Sequence, residues 1–416
     1  MRILLVTQYF WPESFIINQL AKLLVEQGHQ IVVLTGKPNY PEGKIFTGYK
    51  KEYVLKEQMG DVEVMRIPLR PRKSGNAKDL VLNYLSFVFS GLFRFPWLIK
   101  GRKFDVVFVF APSPITSAIP AIFLKYIKRT HLVIWVQDLW PESLSATGFV
   151  RNKLVLKIVR YMVKVIYACS DTLLVPSIAF IKPVSALSNT EKIKYYPNST
   201  EDMQALKAGD RNSEIPESLK ELLTENFCLV FAGNIGSAQS IDTLISAAQR
   251  LTAISDIRIV LVGEGSLLAW AKEEVRRREL KNVIFTGSFP NSLMPAIFSR
   301  SEALLVSLKA EEIFSYTIPS KVQAYMSSGR PIIATINGEA ARVIDEAGAG
   351  LTCPAQDVEA LVVTIGQFYN MKPLEREKLG QQGRKYFLEN FEMKQQSKRL
   401  IEILEQRIAQ KKVKKK

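Results

Sequence analysis

Cysteine and histidine are both scarce in this chain of 416 residues, which has three cysteines and two histidines. Cys169, Cys228 and Cys353 lie far apart and form no CxxC pair, which argues against a cysteine-ligated metal and favours a reducing compartment. His29 and His131 are too few for a multi-histidine metal site. We therefore predict no metal site built from cysteines or from several histidines.

Several short catalytic signatures are also missing. No GxGxxG follows the first predicted strand, which disfavours a dinucleotide-binding dehydrogenase. GxSxG, HExxH and the P-loop pattern are absent too, which disfavours hydrolase, zincin and P-loop enzymes. The chain also has no DxD, a pair that commonly holds a divalent cation on a diphosphate in sugar-nucleotide enzymes. Any phosphate ligand would therefore be neutralised by lysine, arginine and helix dipoles.

Positive charge is abundant and uneven, with a net charge of +16. Nine basic residues and one acidic residue lie between Arg66 and Lys103, and the last seven residues, QKKVKKK, hold five lysines. Such charge favours a polyanionic partner: nucleic acid, anionic lipid or a phosphorylated substrate. Because no nucleic-acid-binding motif or aromatic-basic repeat is present, we do not expect nucleic acid to be that partner.

The order of apolar runs predicts an α/β protein of two parallel-sheet domains that face one another across a cleft. A strand at 3–7, a helix at about 15–27 and a strand at 31–34 form a βαβ opening, and a second alternation of strands and helices begins near residue 227. The N-terminus predicts a first strand and not a signal peptide, since no small-residue cleavage site follows, so we expect a cytoplasmic protein. The predicted parts are an N-terminal Rossmann-like domain (1–200), a linker (201–225), a second Rossmann-like domain (226–385) and a C-terminal helix with a basic tail (386–416).

Residues 80–99 form the most hydrophobic run of the chain. A transmembrane helix is disfavoured by Asn83, Arg94 and Pro96 within it. Cationic flanks and aromatic residues along the run favour a helix that docks in the plane of a membrane, and a buried helix of the first domain is the alternative. Four basic residues further on recur at helical spacing and predict one cationic helix face, which is either solvated or turned to a membrane or pyrophosphate: Lys153, Lys157, Arg160 and Lys164.

Loops that suit phosphate follow several strands of the second half. They contain Gly233 and Gly236, Gly263 and Gly265, and Gly287, and glycine lets backbone amides approach a phosphate closely. Further on, Thr317 and Pro319 predict a helix start, with the Thr317 hydroxyl as a possible cap and Gly329 at the helix end. Ser320 and Lys321 then lie in a first helical turn that can bind an anion. Glu339, after Gly338, is a candidate for hydrogen bonding a ribose or sugar hydroxyl.

In the first half, Asp138 and Glu142 follow a predicted buried strand, on either side of Trp140. Carboxylates at the carboxyl end of a parallel strand are well placed for a polar ligand.

These segments together resemble glycosyltransferase family 4, which has the GT-B architecture of two Rossmann-like domains, over essentially the whole chain. The similarity is greatest to the branch that builds bacterial O-antigen and capsule repeat units, including N-acetyl-L-fucosamine transferases. The segments that carry the resemblance are YFWPES (9–14), VQDLWPES (136–143), YYPNSTED (195–202), FAGNIGSAQSIDTLI (231–245), GEGS (263–266), NVIFTGSFP (282–290), TIPSKVQAYMSSGRPIIA (317–334) and NGEAA (337–341).

The resemblance implies a retaining, metal-independent hexosyltransferase without a cofactor, peripherally associated with the inner membrane. Its expected partners are a UDP-sugar donor, an undecaprenyl-diphosphate-linked saccharide acceptor and the membrane surface. It implies catalytic roles for Lys321, Asp138 and Glu142. The donor-binding residues that it implies are Gly233, Asn234, Gly236, Gln239, Gly263, Gly265, Ser320, Lys321 and Glu339.

The chain departs from the family pattern at two places. Ala324 stands where many members carry the second glutamate of a Glu-x7-Glu pair, and Glu312 is not in register with the first. Asn234 and Gln239 stand where a basic pair is usual, so Lys321 would carry more of the phosphate charge. Two alternatives stay open. One is a UDP-sugar 2-epimerase of similar architecture, and the other, suggested by Ala324, is a non-catalytic sugar-nucleotide-binding subunit of a polysaccharide assembly complex.

Overall fold

The computed structural model of the chain describes residues 1–50, 54–146, 150, 152–204 and 215–413. It divides into two compact units, one of Met1–Asn198 with Gln396–Lys416 and one of Ser199–Gln395. The last three lysines of the basic tail, and the middle of the polar stretch 201–225, lie outside the described residues.

The first unit is built on an eight-stranded sheet in the order β3-β4-β2-β1-β5-β6-β7-β8. All neighbouring strands are parallel except β3 and β4. Because β2 lies on one side of β1 and β5 on the other, the strand order reverses beside β1, where parallel sheets leave a crevice for ligands. The strands are β1 (Arg2–Val6), β2 (Gln30–Gly36), β3 (Leu55–Met59), β4 (Val62–Ile67), β5 (Val106–Ala111), β6 (His131–Val136), β7 (Thr172–Val175) and β8 (Ile193–Tyr195).

Helices connect these strands and cover the sheet. They are α1 (Ile16–Glu26), α2 (Ala77–Leu98), α3 (Ala118–Lys128), α4 (Glu142–Ala146), α5 (Lys153–Cys169) and α6 (Ile181–Ser185). Strands β5 and β6 are buried along their whole length, which explains their uninterrupted apolar sequences. Helix α3 packs against both α2 and α5, so these three helices are neighbours.

Helix α2, which contains the hydrophobic run, buries one face and exposes apolar side chains on the other. The buried face includes Phe87 and Phe95. Exposed apolar side chains recur every four residues: Val81, Leu85, Phe89, Phe93 and Trp97. The expectation of a buried domain helix therefore holds for one face, and the other keeps the apolar surface that in-plane docking needs. None of the helices in the described ranges has the length and hydropathy to span a bilayer.

Asn83, the polar residue within that run, is buried. Its Oδ1 accepts a hydrogen bond from Gln8 at 2.6 Å and its Nδ2 donates to the Arg70 carbonyl at 2.5 Å. Buried amides need such partners, and these fasten α2 to the loops after β1 and β4.

The second unit has a six-stranded sheet in the order β11-β10-β9-β12-β13-β14, with all pairs parallel. Its strand order reverses between β9 and β12. The strands are β9 (Phe227–Ala232), β10 (Ile257–Val262), β11 (Val283–Gly287), β12 (Ala303–Ser307), β13 (Ile332–Thr335) and β14 (Gly350–Cys353). The helices that follow in the chain are α7 (Glu217–Glu225), α8 (Ile241–Arg250), α9 (Leu268–Arg277), α10 (Met294–Ser299), α11 (Glu312–Ser315), α12 (Ser320–Ser328), α13 (Glu339–Ala347), α14 (Val358–Asn370), α15 (Pro373–Asn390) and α16 (Met393–Val413).

Two features refine the predicted division of the chain. Helix α7 lies within the stretch that we expected to be a linker, with Leu219 and Leu223 buried in the core of the second unit. Helix α16 belongs to the first unit from Gln396 onward, because Leu400 and Leu404 pack against the first-unit core.

Candidate functional site

The loops after β9 and β10 pack backbone against backbone. A Cβ atom on Gly263, whose φ is +141°, would lie 2.0 Å from the Gly233 carbonyl oxygen. A Cβ atom on Gly265 would lie 2.4 Å from the Ile235 carbonyl oxygen. Side chains at either position are therefore excluded, and the amide of Ile235 donates to the Glu264 carbonyl at 2.7 Å. The predicted glycines of these two loops thus form one structure at the carboxyl edge of the second sheet.

Asn234 fills the space beside these glycines. Its Nδ2 lies 2.5 Å from where a Cβ atom of Gly236 would be, and its Oδ1 lies 2.6 Å from that of Gly265. Asn234 and Gly233 themselves are exposed, so the surface of this double loop is backbone and amide. Asn234, Gly236 and Gly265 are therefore brought together as predicted.

Lys321 lies against the same loop. Its Nζ donates to Gln239 Oε1 at 2.7 Å, lies 3.7 Å from the centre of the Phe231 ring and is 3.4 Å from where a Cβ atom of Gly233 would be. Burial lowers the pKa of Lys321 to about 7. Within the part of the chain that is described, no carboxylate lies within ion-pair distance of this ammonium. Because this pKa is near neutrality, Lys321 is protonated in part of the molecules at pH 7. Its protonated form has no anionic partner among the described residues, an arrangement suited to an anionic ligand.

Lys321 owes its position to the start of α12. The helix begins at Ser320, with Pro319 as its N-cap residue and Ser320 exposed. The predicted capping by Thr317 is wrong: its hydroxyl donates to the Phe314 carbonyl at 3.2 Å, at the end of the preceding short helix. No described side chain caps α12. The Val322 amide donates to the Pro319 carbonyl at 2.9 Å, so the amides of Ser320 and Lys321 are the ones at this helix start that can bind an anion. Gly329 ends the helix at φ +74°, as predicted.

Glu339 occupies the next loop, after β13. It is the first residue of α13 and is 5% exposed, and its carboxylate accepts two hydrogen bonds from Arg342, at 3.1 and 3.0 Å. A Cβ atom on the preceding Gly338 would lie 2.2 Å from the Ser315 carbonyl oxygen. Because β13 neighbours β12, the loop of Glu339 adjoins the connection that carries Lys321, although Arg342 already engages the carboxylate.

The residues that depart from the family pattern have simple surroundings. Ala324 lies one turn after Ser320 and offers no polar group. Glu312 begins the short helix α11, and its Oε1 accepts a hydrogen bond from the Tyr316 hydroxyl at 2.5 Å. Position 324 therefore has no carboxylate, and the Glu312 carboxylate is bonded to Tyr316.

The two predicted carboxylates of the first unit have different environments. Asp138 follows β6, and burial raises its pKa against the opposing effect of hydrogen bonds from Ser143 and the Leu139 amide. Glu142 begins α4 and lies 3.6 Å from the guanidinium of Arg160, where both side chains are largely in contact with solvent. A buried carboxyl with a raised pKa at the carboxyl end of a strand, as at Asp138, is typical of a functional carboxylate.

Sequence reasoning missed Glu13, which is 2% exposed. Its Oε1 accepts from the Asn39 and Tyr40 amides at 2.8 Å each, and its Oε2 accepts from the Phe10 amide at 3.1 Å. Burial raises the pKa of Glu13 to about 7 although these three donors oppose the shift. Glu13 thereby joins the loops after β1 and β2. The repeated WPES, at 11–14 and 140–143, was the one signal available for it.

Arg72 was missed as well. Its guanidinium lies 5.0 Å from the centre of the Tyr40 ring and 5.9 Å from that of Tyr9, and Tyr9 stacks on Phe15 at 5.6 Å. Over the described ranges, no carboxylate forms an ion pair with Arg72. This cation is held on aromatic faces at the edge where the first sheet reverses its strand order.

Comparison with known proteins identifies the family. A model described as "Glycosyl transferase 4-like domain" matches residues 15–198, and one described as "Glycosyl transferases group 1" matches residues 226–371. The chain is 23% identical to "Probable glycosyltransferase WbjE" of Pseudomonas aeruginosa, over 74% of this chain and 76% of that protein. It is 22% identical to "Putative colanic acid biosynthesis glycosyl transferase WcaI" of Escherichia coli, over 84% and 86%.

Solved structures agree on the fold. Anabaena Alr3699/HepE in complex with UDP has a TM-score of 0.69 at 13% identity, covering 98% of this chain and 100% of that one. An Escherichia coli trehalose-6-phosphate protein bound to UDP-2-fluoro glucose has a TM-score of 0.73 at 12% identity, covering 98% and 99%. Both α/β units are thus those of the GT-B fold. The chain therefore belongs to glycosyltransferase family 4, among relatives named for bacterial O-antigen and colanic acid synthesis, and it is a glycosyltransferase.

Proposed function

We propose that the protein transfers a sugar from a UDP-sugar to an undecaprenyl-diphosphate-linked saccharide during synthesis of an O-antigen or capsule. The observation that carries this proposal is Lys321, which lies beside the glycine loop of Gly233 and has no ion-pair partner among the residues that the structure describes. Solved neighbours of the same fold were captured with UDP or a UDP-sugar analogue, which supports UDP as the nucleotide.

In this proposal the donor diphosphate lies on the loops of Gly233 and Gly263 and is neutralised without a metal. Lys321, the first amides of α12 and the amides of Gln239 and Asn234 are the groups that can face it. They would stabilise the charge that develops on the leaving phosphate, where preorganised donors are most effective. Arg342 already donates to both carboxylate oxygens of Glu339. Glu339 would therefore accept a hydrogen bond from a donor hydroxyl through the remaining lone pairs of those oxygens.

The transfer step is proposed to retain the configuration at the anomeric carbon. The bond from that carbon to the leaving phosphate oxygen breaks, and the bond to the acceptor oxygen forms on the same face. The hydroxyl proton of the acceptor goes to the leaving phosphate. Asp138 and Glu142 are proposed to orient the acceptor, since they follow a strand of the first unit.

The enzyme is proposed to work at the cytoplasmic face of the inner membrane. Exposed apolar side chains lie on the three neighbouring helices α2, α3 and α5, for example Trp97, Tyr126 and Tyr161, which are 79%, 62% and 70% exposed. The predicted cationic residues of α5 are all exposed as well, Lys153, Lys157, Arg160 and Lys164. An apolar face bordered by cations fits a bilayer with anionic headgroups.

The test supplies membranes from a strain that lacks the enzyme with candidate UDP-sugars and analyses lipid-linked products by mass spectrometry. N-acetyl-L-fucosamine and other N-acetylated amino or deoxy sugars are the first donors to try. We expect the wild type to add one sugar, and Lys321→Ala to add it about 10²- to 10³-fold more slowly. Release of free epimerised UDP-sugar without an acceptor would instead favour the epimerase, and UDP binding without turnover across the panel would favour a non-catalytic subunit.

A further inference from the structure

A cavity of about 400 Å³ lies within the first unit, between α2, α5 and the loops after β5 and β6. Apolar side chains of the two helices form most of its wall: Leu80, Val81, Tyr84 and Leu85 from α2, and Val155 and Val159 from α5. Its volume and lining are those of a small-molecule site, mostly apolar with a few polar groups.

One part of the cavity wall is polar. Arg72, Ser113 and Asp138 lie there, beside Trp140, which is 6.3 Å from Tyr84 between ring centres. Asp138 takes hydrogen bonds from the protein, whereas Arg72 rests on Tyr40 and Tyr9 without a carboxylate partner in the described ranges. The Asp138 carboxyl is thus already engaged by protein donors, and Arg72, whose guanidinium also donates to the Tyr9 hydroxyl at 3.5 Å, is the group of this wall that can bind an anion.

The apolar end is continuous with the exposed apolar surface of α2 and α5. Val81, Leu85 and Val155 line the cavity and are also 52%, 44% and 41% exposed. The lining therefore favours a ligand with an apolar chain on this side and an anionic end at Arg72. A prenyl chain attached to a diphosphate has both parts in that order.

We propose that this cavity binds the first isoprene units of a prenyl diphosphate, with Arg72 on the diphosphate. The inference rests on the proposed function, since it assigns part of the lipid-linked acceptor to the first unit. It makes the α2/α5 cavity the element that selects a lipid-linked acceptor over a free saccharide. The apolar wall excludes water around the prenyl chain, and Arg72 fixes how far the chain enters.

The test measures binding by calorimetry, with farnesyl diphosphate, inorganic diphosphate and farnesol as probes of the full-length protein, in saturating UDP so that the donor site on the Gly233 and Gly263 loops is already filled. We expect farnesyl diphosphate to bind at least about tenfold more tightly than inorganic diphosphate, since the prenyl chain leaves water. Equal affinities for these two anions would overturn the proposal, because the apolar wall would then contribute nothing.

Variants at the rim locate the site. Val155→Trp narrows the cavity and is expected to weaken farnesyl diphosphate binding about tenfold, while Val363→Trp, at an exposed valine of α14, leaves it unchanged. Leu85→Trp provides a second rim position if Val155→Trp folds poorly. Equal affinities in the Val155 and Val363 variants, with the Leu85 variant unchanged too, would place the ligand elsewhere and overturn the proposal.

Arg72→Gln tests the anionic end. It is expected to weaken farnesyl diphosphate about tenfold and to leave farnesol unchanged, because a charge-assisted contact is lost. An unchanged affinity for farnesyl diphosphate would overturn the assignment of Arg72. The binding measurement is independent of the transfer assay, so the two proposals can fail separately. Prenyl binding without transfer from any UDP-sugar would overturn the proposed function, and transfer without prenyl binding would overturn the assignment of the cavity.

Discussion

Lys321 donates to Gln239 at 2.7 Å, so a lysine in the first turn of α12 is tied to the glycine loop that follows β9, more than eighty residues earlier. The pair joins the two sides of the strand-order reversal in the second sheet. Gln239 accepts the hydrogen bond without neutralising the ammonium, and the positive charge stays available for a ligand.

Replacing Lys321 by alanine is expected to lower kcat by about 10²- to 10³-fold, because a preorganised donor to the leaving phosphate is lost. The measurement is UDP release in the presence of acceptor membranes. Lys272→Ala, at an exposed position of α9, is the matched control. Turnover in the Lys321 variant equal to that of the control would remove Lys321 from the catalytic site.

Donor binding is expected to weaken as pH rises above about 7, the pKa to which burial lowers Lys321. A diphosphate favours the protonated amine, so affinity should fall by up to about tenfold per pH unit. Calorimetry in buffers of different ionisation enthalpy should show proton uptake on binding at pH 8.

The free energy of unfolding is expected to change with pH in the direction opposite to donor affinity. Between pH 7 and 10.5 the unfolded chain keeps a proton on Lys321 that the folded protein has lost, so this group makes unfolding less favourable as pH rises. Lys321→Arg stays charged, so both the donor affinity and the unfolding free energy should lose this pH dependence.

A wild-type donor affinity that does not change from pH 7 to 9 would contradict the assignment of Lys321 to the donor phosphate.

Glu13→Ala is expected to reduce the free energy of unfolding by about 2 to 4 kcal/mol, since three backbone amides lose their acceptor. Urea denaturation measures the change, and Glu26→Ala, exposed on α1, is the control. Because Glu13 joins the loops after β1 and β2, acceptor KM should rise more than donor KM. Equal stability of the two variants would show that water replaces the carboxylate.

Replacing exposed aromatic side chains near the C-terminal end of α2 is expected to detach the protein from membranes. Phe93 and Trp97 are 77% and 79% exposed, and replacing both by serine should weaken binding to vesicles with anionic lipid about 100-fold. Vesicle flotation measures this, with the double change Leu374→Ser and Val363→Ser, both exposed in the second unit, as control. Self-association through α2 without vesicle binding would assign the surface to a second copy of the chain.

The sequence was informative wherever local chemistry decides the outcome. Apolar runs of strand length predicted strands such as β1 and β6, and Gly329 predicted the end of α12, because backbone conformation there depends on the residue itself. The glycine loops could be predicted for the same reason, since only glycine tolerates the approach of Gly263 to the Gly233 carbonyl. The order of the matching motifs along the chain also indicated the family and the two-unit α/β architecture.

Contacts between distant parts of the chain were decided only by the tertiary structure. Thr317 fits a capping rule, yet it bonds to Phe314 because the preceding residues form the short helix α11. Glu13 and Arg72 carry no local signal, since their partners come from loops that the sheet order brings together. The sequence by itself thus determined the strands, the glycine turns and the lysine at a helix start. Tertiary packing decided that Lys321 and Arg72 have no anionic partner among the described residues, because the partners of a cation depend on every group that surrounds it.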